Sequence, residues 1–178
     1  MLNNYGRTML TITSMLGVVC KDGLFEECPV WKNCFINANL FIIAGYPQIL
    51  KKEVINIPSK MTINLHGGPL PKYRGGSPLN WQIINQEKKI GISIIKMNEG
   101  IDTGPILMQK SFRLKKNDTI RDVHKKANIY FYHLLTLILK KIKKNSLKIV
   151  PQKNNKKFKN WKQRSDLDGY IDFKKNNY

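Results

Sequence analysis

The sequence has no G-x-G-x-x-G after a strand-like run and no G-x-x-x-x-G-K-[ST]. It therefore lacks both the dinucleotide fingerprint and the phosphate-cradling loop of nucleotide hydrolases. No apolar run approaches the roughly 18 residues of a membrane span. The best one, residues 130–139, is shorter and holds His133. Arg7 precedes a modest apolar run, but no small-residue cleavage site follows, so no signal peptide is expected. Cysteine is scarce: Cys20, Cys28 and Cys34 form an odd set without C-x-x-C spacing. That argues for reduced thiols in a cytoplasmic setting and against disulfides or structural zinc. Acidic residues are also few, 12 against 31 Lys and Arg, which leaves a net charge of +19.

The basic excess is uneven. Residues 1–110 carry 12 basic and 7 acidic residues, and residues 111–178 carry 19 and 5. Such a surface attracts polyanions or phosphate-bearing substrates. No base-reading element accompanies the lysines, so solvated charge is the plainer reading and a nucleic-acid partner is not expected. The length of 178 residues suits one domain with a sizeable core.

The densest run of special residues is 64–78. Asn64 and His66 flank Leu65, and the segment 61–66 reads as a strand, so both polar side chains share one face. Four glycines and three prolines follow within the next twelve residues, 67–78. That composition continues neither a strand nor a helix and makes a shaped loop. A polar pair at a strand end followed by a tailored loop is how open α/β sheets build sites.

Around this run the pattern alternates strand and helix. Residues 8–15 suggest a short helix and 17–20 a buried strand. The apolar run 40–44, closed by Gly45, is the pattern of a strand buried on both faces. A single helical turn is expected over 48–53. Ser77 and Pro78 suggest an N-cap and first position of a helix to about residue 85. Strands follow over 90–97 and 106–112. Thr119 with Asp122 reads as a capping box before a helix over 120–143. There Ile120, Val123, Ala127, Phe131, Leu134, Leu135, Ile138 and Ile142 make one apolar stripe. The pattern predicts an α/β fold: a mostly parallel sheet with helices on both faces.

Asn64, His66 and Asp102 are the chemistry-bearing candidates. Asp102 sits in a loop between Gly100 and Gly104, open to close backbone approach. An imidazole can take up a proton, a neighbouring carboxylate can orient the ring, and a carboxamide can donate to a developing oxyanion. Together they suit acyl transfer to an amine. Singly, each is as well explained as a turn residue, a strand-end histidine and a loop carboxylate.

Asn64-x-His66, the run Leu70-Pro71-x-Tyr73-Arg74-Gly75 and Gly100-Ile101-Asp102-Thr103-Gly104 together resemble the signature of the folate-dependent formyltransferases. The resemblance covers roughly residues 1–145 and is densest over 39–112. It implies a Rossmann-like catalytic domain over 1–145, abbreviated at its N-terminus, and a basic C-terminal extension over 146–178. It implies 10-formyltetrahydrofolate as co-substrate and an amine as acceptor. His66 is then the acid/base that stabilises the tetrahedral intermediate, Asn64 binds its oxyanion, and Asp102 orients His66. The pterin falls to Ala44, Gly45, Tyr46 and Ile49 and to Gly100 and Ile101. Gly67, Gly68, Pro69, Tyr73, Arg74 and Gly75 fall to the acceptor.

The run from His66-Gly67-Gly68-Pro69 to Trp81 is similar to enzymes that formylate nucleotide-linked 4-amino-4,6-dideoxy sugars for surface polysaccharides. The tRNA enzymes more typically have Pro-Ser-Leu after the histidine. A nucleotide-linked amino sugar is therefore the expected acceptor, with methionyl-tRNA as the second reading. No membrane partner is expected, and family analogy suggests a homodimer. Only about twenty residues separate Val19 from Leu40, where the family has more strand and helix, and little chain follows residue 172. These departures raise the alternative of an inactive remnant that keeps the motifs.

Overall fold

The computed structural model describes residues 38–46, 49–153, 158 and 160–169, together with the backbone of 11–12 and 17–18. Thr11–Ile12 (β1) pairs antiparallel with Gly17–Val18 (β2). The helix expected over 8–15 therefore gives way at its middle to a strand, as β-branched Thr11 and Ile12 favour. The rest of that segment, and Val19 and Cys20, lie outside the described residues.

Leu40–Ala44 (β3), Met61–His66 (β4), Lys89–Lys96 (β5) and Ile106–Arg113 (β6) form one sheet in the order β3-β4-β5-β6. β3 and β4 are parallel, while β4/β5 and β5/β6 are antiparallel. The α/β class stands, but the described sheet is mixed rather than mostly parallel. Connection geometry is the reason. The chain from β5 to β6 is too short for a parallel crossover, which takes about a dozen residues or more. The excursion from β4 to β5 leaves and re-enters at one end of the sheet, since His66 stands opposite Ser93 and Ile63 opposite Lys96.

Helices cover both faces. On one face Ile63, Ile90, Ile92 and Ile94 pack with Val123, Ala127, Leu134 and Ile138 of the long helix Ile120–Lys143 (α3). Leu79 of the short helix Pro78–Ile84 (α2) joins them. Each wholly buried isoleucine there contributes about 1.5–3 kcal/mol relative to an exposed one. The Thr119–Asp122 capping box stands as the sequence predicts, with Thr119 Oγ1 accepting from the Asp122 N–H. The stripe stands except at Ile120, which is exposed and lies outside this cluster. On the other face Phe41, Ile43, Leu50, Val54 and Ile55 form a second cluster with Tyr46 and Met97. Val54 and Ile55 belong to Lys52–Ile55 (α1), a turn displaced from the 48–53 expectation; Gln48 lies outside the described residues.

Alternation along β4 sends Met61, Ile63 and Leu65 toward α3, which leaves Thr62, Asn64 and His66 on the opposite face. The glycine- and proline-rich loop folds back over this face of β5. Ser93, wholly buried between the isoleucines of β5, ties it down: its hydroxyl donates to the Gly68 carbonyl at 2.6 Å and accepts from the Leu70 N–H at 3.1 Å. Beyond the end of β4, the Gln82 side chain takes over the edge of β5. It accepts from the Gly91 N–H at 2.7 Å and donates to the Gly91 and Gly67 carbonyls at 3.1 and 2.8 Å. This wholly buried amide thus meets backbone groups that would cost about 1–3 kcal/mol each if left unpaired.

Candidate active site

Asn64, His66 and Asp102 meet. Asp102 lies in the loop from β5 to β6, and its carboxylate stands between the two β4 side chains. Oδ1 accepts from Asn64 Nδ2 at 3.2 Å, and Oδ2 lies 3.4 Å from His66 Nδ1. Oδ2 also accepts the Gly75 N–H at 2.9 Å, which fastens the glycine-rich loop to the carboxylate. The His66 and Asp102 side chains are only 6% and 12% exposed, so their interaction is poorly screened by solvent. His66 Nε2 lies 2.5 Å from the Tyr73 carbonyl. Both ring nitrogens therefore face oxygens that only accept. A neutral ring donates to one of them, and a charged ring donates to both.

Local backbone sets this geometry. Asp102 has φ 50, the left-handed region that non-glycine residues seldom adopt. Such a conformation costs on the order of 1–3 kcal/mol and persists only where its surroundings hold it. Asn98 caps the same loop, accepting from Thr103 Oγ1 at 2.8 Å and from the Gly100 N–H at 3.3 Å. Gly68 gives clearance for the imidazole, because a Cβ there would stand 2.8 Å from His66 Nε2 and 2.6 Å from the Tyr73 carbonyl oxygen.

The acceptor residues expected from sequence fall into two groups. Tyr73 is wholly buried, with its hydroxyl donating to Glu87 at 2.6 Å and accepting from Asn85 at 3.1 Å. Burial first, and then the Glu87 hydrogen bond, push the phenol above its ordinary range. Lys72 also bonds Glu87; with Tyr73 it holds that carboxyl below its ordinary range. A substrate contact through the Tyr73 side chain gives way to a contact with His66 through its carbonyl. Gly68 is buried likewise, and Pro69 packs over Gly91. Arg74 is buried and donates to Gln152 from Nε at 3.2 Å and from Nη2 at 2.7 Å. Gly67 and Gly75 are partly exposed.

Of the pterin residues, Ile49 is 70% and Ile101 43% exposed, and Gly45 and Gly100 are exposed as well. Ala44 and Tyr46 are partly buried. A Lys52–Glu99 ion pair of 2.9 Å links α1, just after Ile49, to the loop that carries Ile101. Exposed apolar side chains such as Ile49 and Ile101, the latter next to Gly100, are the kind of surface that suits a flat heteroaromatic ring. Among the described residues, no group of three or more His, Cys, Asp or Glu could hold a metal, and no helix is long and apolar enough to cross a membrane.

Sequence reasoning missed Gln82, Ser93, Gln152 and Trp161. Ser93 left one signal, a lone hydroxyl inside an isoleucine-rich strand. Trp161 left another, an aromatic residue in a lysine-rich tail. It stacks on Tyr73 with centroids 5.4 Å apart and lies 5.0 Å from Trp81. Ser77 precedes α2 as expected, but with φ 46 its side chain does not cap that helix; Oγ accepts the Arg164 N–H at 3.0 Å instead.

A family model described as formyl transferase matches residues 32–137. A methionyl-tRNA formyltransferase of Caldanaerobacter subterraneus subsp. tengcongensis is 37% identical over 118 residues, covering 66% of this chain and 38% of that protein. The chain thus spans about two fifths of the length of such relatives. An N-formyltransferase from Helicobacter canadensis, solved with folinic acid and dTDP-3-aminofucose, is 28% identical with a TM-score of 0.62. The match covers 76% of this chain and 49% of that one. PseJ of Anoxybacillus kamchatkensis is 24% identical with a TM-score of 0.65, covering 79% of this chain and 71% of that one; this likeness shows the fold.

Proposed function

Because the chain belongs to the formyl transferase family, we propose that it transfers a formyl group from 10-formyltetrahydrofolate to an amine, with Asn64, His66 and Asp102 as the working side chains. The observation that carries this reading is the Asp102 carboxylate, which bridges the other two. Ala44, Gly45, Tyr46, Ile49, Gly100 and Ile101 would hold the folate, which supplies the formyl group. The chain's own residues manage charge. Asn64 gives one amide hydrogen to Asp102, and among the described residues its second has no acceptor, which leaves it for an oxyanion. His66 takes the proton that the amine loses, and the charged ring then donates to both Asp102 and the Tyr73 carbonyl.

For the acceptor we place a nucleotide-linked 4-amino-4,6-dideoxy sugar first, for surface polysaccharide biosynthesis in the cytoplasm. The run from His66 to Trp81 supports this choice, and the Helicobacter canadensis neighbour, solved with dTDP-3-aminofucose, supports the broader class of nucleotide-linked amino sugars. Methionyl-tRNA is the second reading, supported by the Caldanaerobacter relative. The full chain, incubated with 10-formyltetrahydrofolate and each acceptor in turn, is expected to release tetrahydrofolate with one amino sugar and not with methionyl-tRNA. Turnover with methionyl-tRNA alone would replace the sugar reading. No turnover together with a broad, non-cooperative melt would identify an inactive remnant.

A further inference from the structure

The segment after α3 returns to the site. Val150 exchanges backbone hydrogen bonds with Ile106, at 2.9 and 2.8 Å. Trp161 does so across the other loop: its N–H donates to the Arg74 carbonyl at 2.8 Å, and its carbonyl accepts the Gly76 N–H at 2.9 Å. Between these two anchors lies Gln152, whose side chain uses every hydrogen-bonding position it has. Its amide nitrogen donates to the carbonyls of Asp102 and Gly104, both at 2.7 Å. Its oxygen accepts both Arg74 donors. One amide thus joins the backbone of the Asp102 loop to the arginine of the glycine-rich loop, 78 residues from its own position in sequence.

We propose that Gln152 is a positioning residue for the candidate site, and that the catalytic unit extends past α3 through the segment that carries it. Asp102 holds its left-handed backbone only if something fixes the carbonyls on that turn. Gln152 fixes two of them, and so sets the aim of the carboxylate toward His66 and Asn64. An amide suits this task. It presents two hydrogens to the carbonyls and an oxygen to Arg74, whose buried guanidinium has no carboxylate partner among the described residues. The inference rests on the formyl-transfer reading for its catalytic consequence, but not for its structural one.

Gln152→Glu separates the two. The variant keeps side-chain length and an oxygen for Arg74, and it replaces the NH2 that donates to both carbonyls with an oxygen that only accepts. The thermal melt is expected to stay cooperative. Turnover should fall at least tenfold, with the KM for folate and acceptor within about threefold of the parent, because positioning acts on the reacting state more than on binding. Gln152→Asn, whose shorter amide still donates, should retain more activity than Gln152→Glu. An independent readout is hydrogen exchange at the Gly75 amide, which donates to Asp102 Oδ2. It should quicken at least tenfold in Gln152→Glu, with the β5 amides unchanged. Turnover in Gln152→Glu within twofold of the parent would overturn the proposal. Unchanged Gly75 exchange would overturn it too, even if the parent chain proved inactive in formyl transfer.

Discussion

Replacing His66 by asparagine is expected to lower formyl-transfer turnover by roughly 10²–10⁴-fold, the usual contribution of a positioned acid/base. Asparagine keeps a neutral, hydrogen-bonding side chain in a buried slot, so the melt should stay cooperative. What it removes is the proton site. In the native chain both ring nitrogens face acceptors, and taking up a proton completes the second hydrogen bond. The effect should appear in kcat, with KM for the amine nearly unchanged. Steady-state rates at saturating folate check it, and turnover within tenfold of the parent would remove His66 from the chemistry.

Gly104→Ala should be comparably severe through backbone rather than chemistry. A Cβ at residue 104 would lie 1.8 Å from the Lys96 carbonyl oxygen, a backbone atom that cannot rotate aside. The Lys96 N–H bonds the Pro105 carbonyl, so the two chain segments are fastened where the methyl must fit. Either the turn moves, displacing Asp102, or β5 and β6 part at their bulge near Ile94 and Ile95. The expected outcome is turnover reduced at least 10²-fold, as for loss of a site member, and a melt lowered by several degrees, about what 1–2 kcal/mol produces in a domain of this size. Gly45→Ala serves as a contrast: open space surrounds that position, although φ 65 still strains it, so any loss there comes from backbone conformation or from the folate that Gly45 is proposed to hold.

The sequence made some of this legible because the cause was local. Alternation in residues 61–66 placed Asn64 and His66 on one face, and the spacing of apolar residues in 120–143 defined a helix with those bounds. Strand direction was not legible. Nothing in Ile90 to Ile95 says which way the neighbouring strand runs, and only the connections settle it. Gly67-Gly68 was read from sequence as a mark of acceptor class. The structure gives Gly68 a nearer cause, clearance for the His66 ring. Tyr73 was expected to meet the acceptor but is wholly buried, because its hydroxyl found Glu87 and Asn85. Gln152 and Trp161 were hidden for another reason. Their partners lie roughly 50 to 90 residues away and are mostly backbone atoms, which carry no side-chain identity to read.

The charge-rich tail shows the same limit. Lysines dominate its composition, yet within it Arg164 donates to the Asp168 carbonyl at 2.8 Å and lies over the Trp81 ring. Asp168 is held down to about 2, first by the Ser165 backbone N–H and then by Lys162. A segment that reads as solvated charge thus contains a turn, residues 166–169, tied through Arg164 to Ser77 and Trp81.

The central claim is that His66 and Asp102 act as one unit, and a double-mutant cycle tests it most directly. Turnover is measured for the parent chain, His66→Asn, Asp102→Asn and the double variant, with 10-formyltetrahydrofolate and the accepted amine. Members of a unit are strongly non-additive. The double variant should therefore fall within about threefold of the slower single variant. Losses that multiply would contradict the account, since two residues acting independently would give that result.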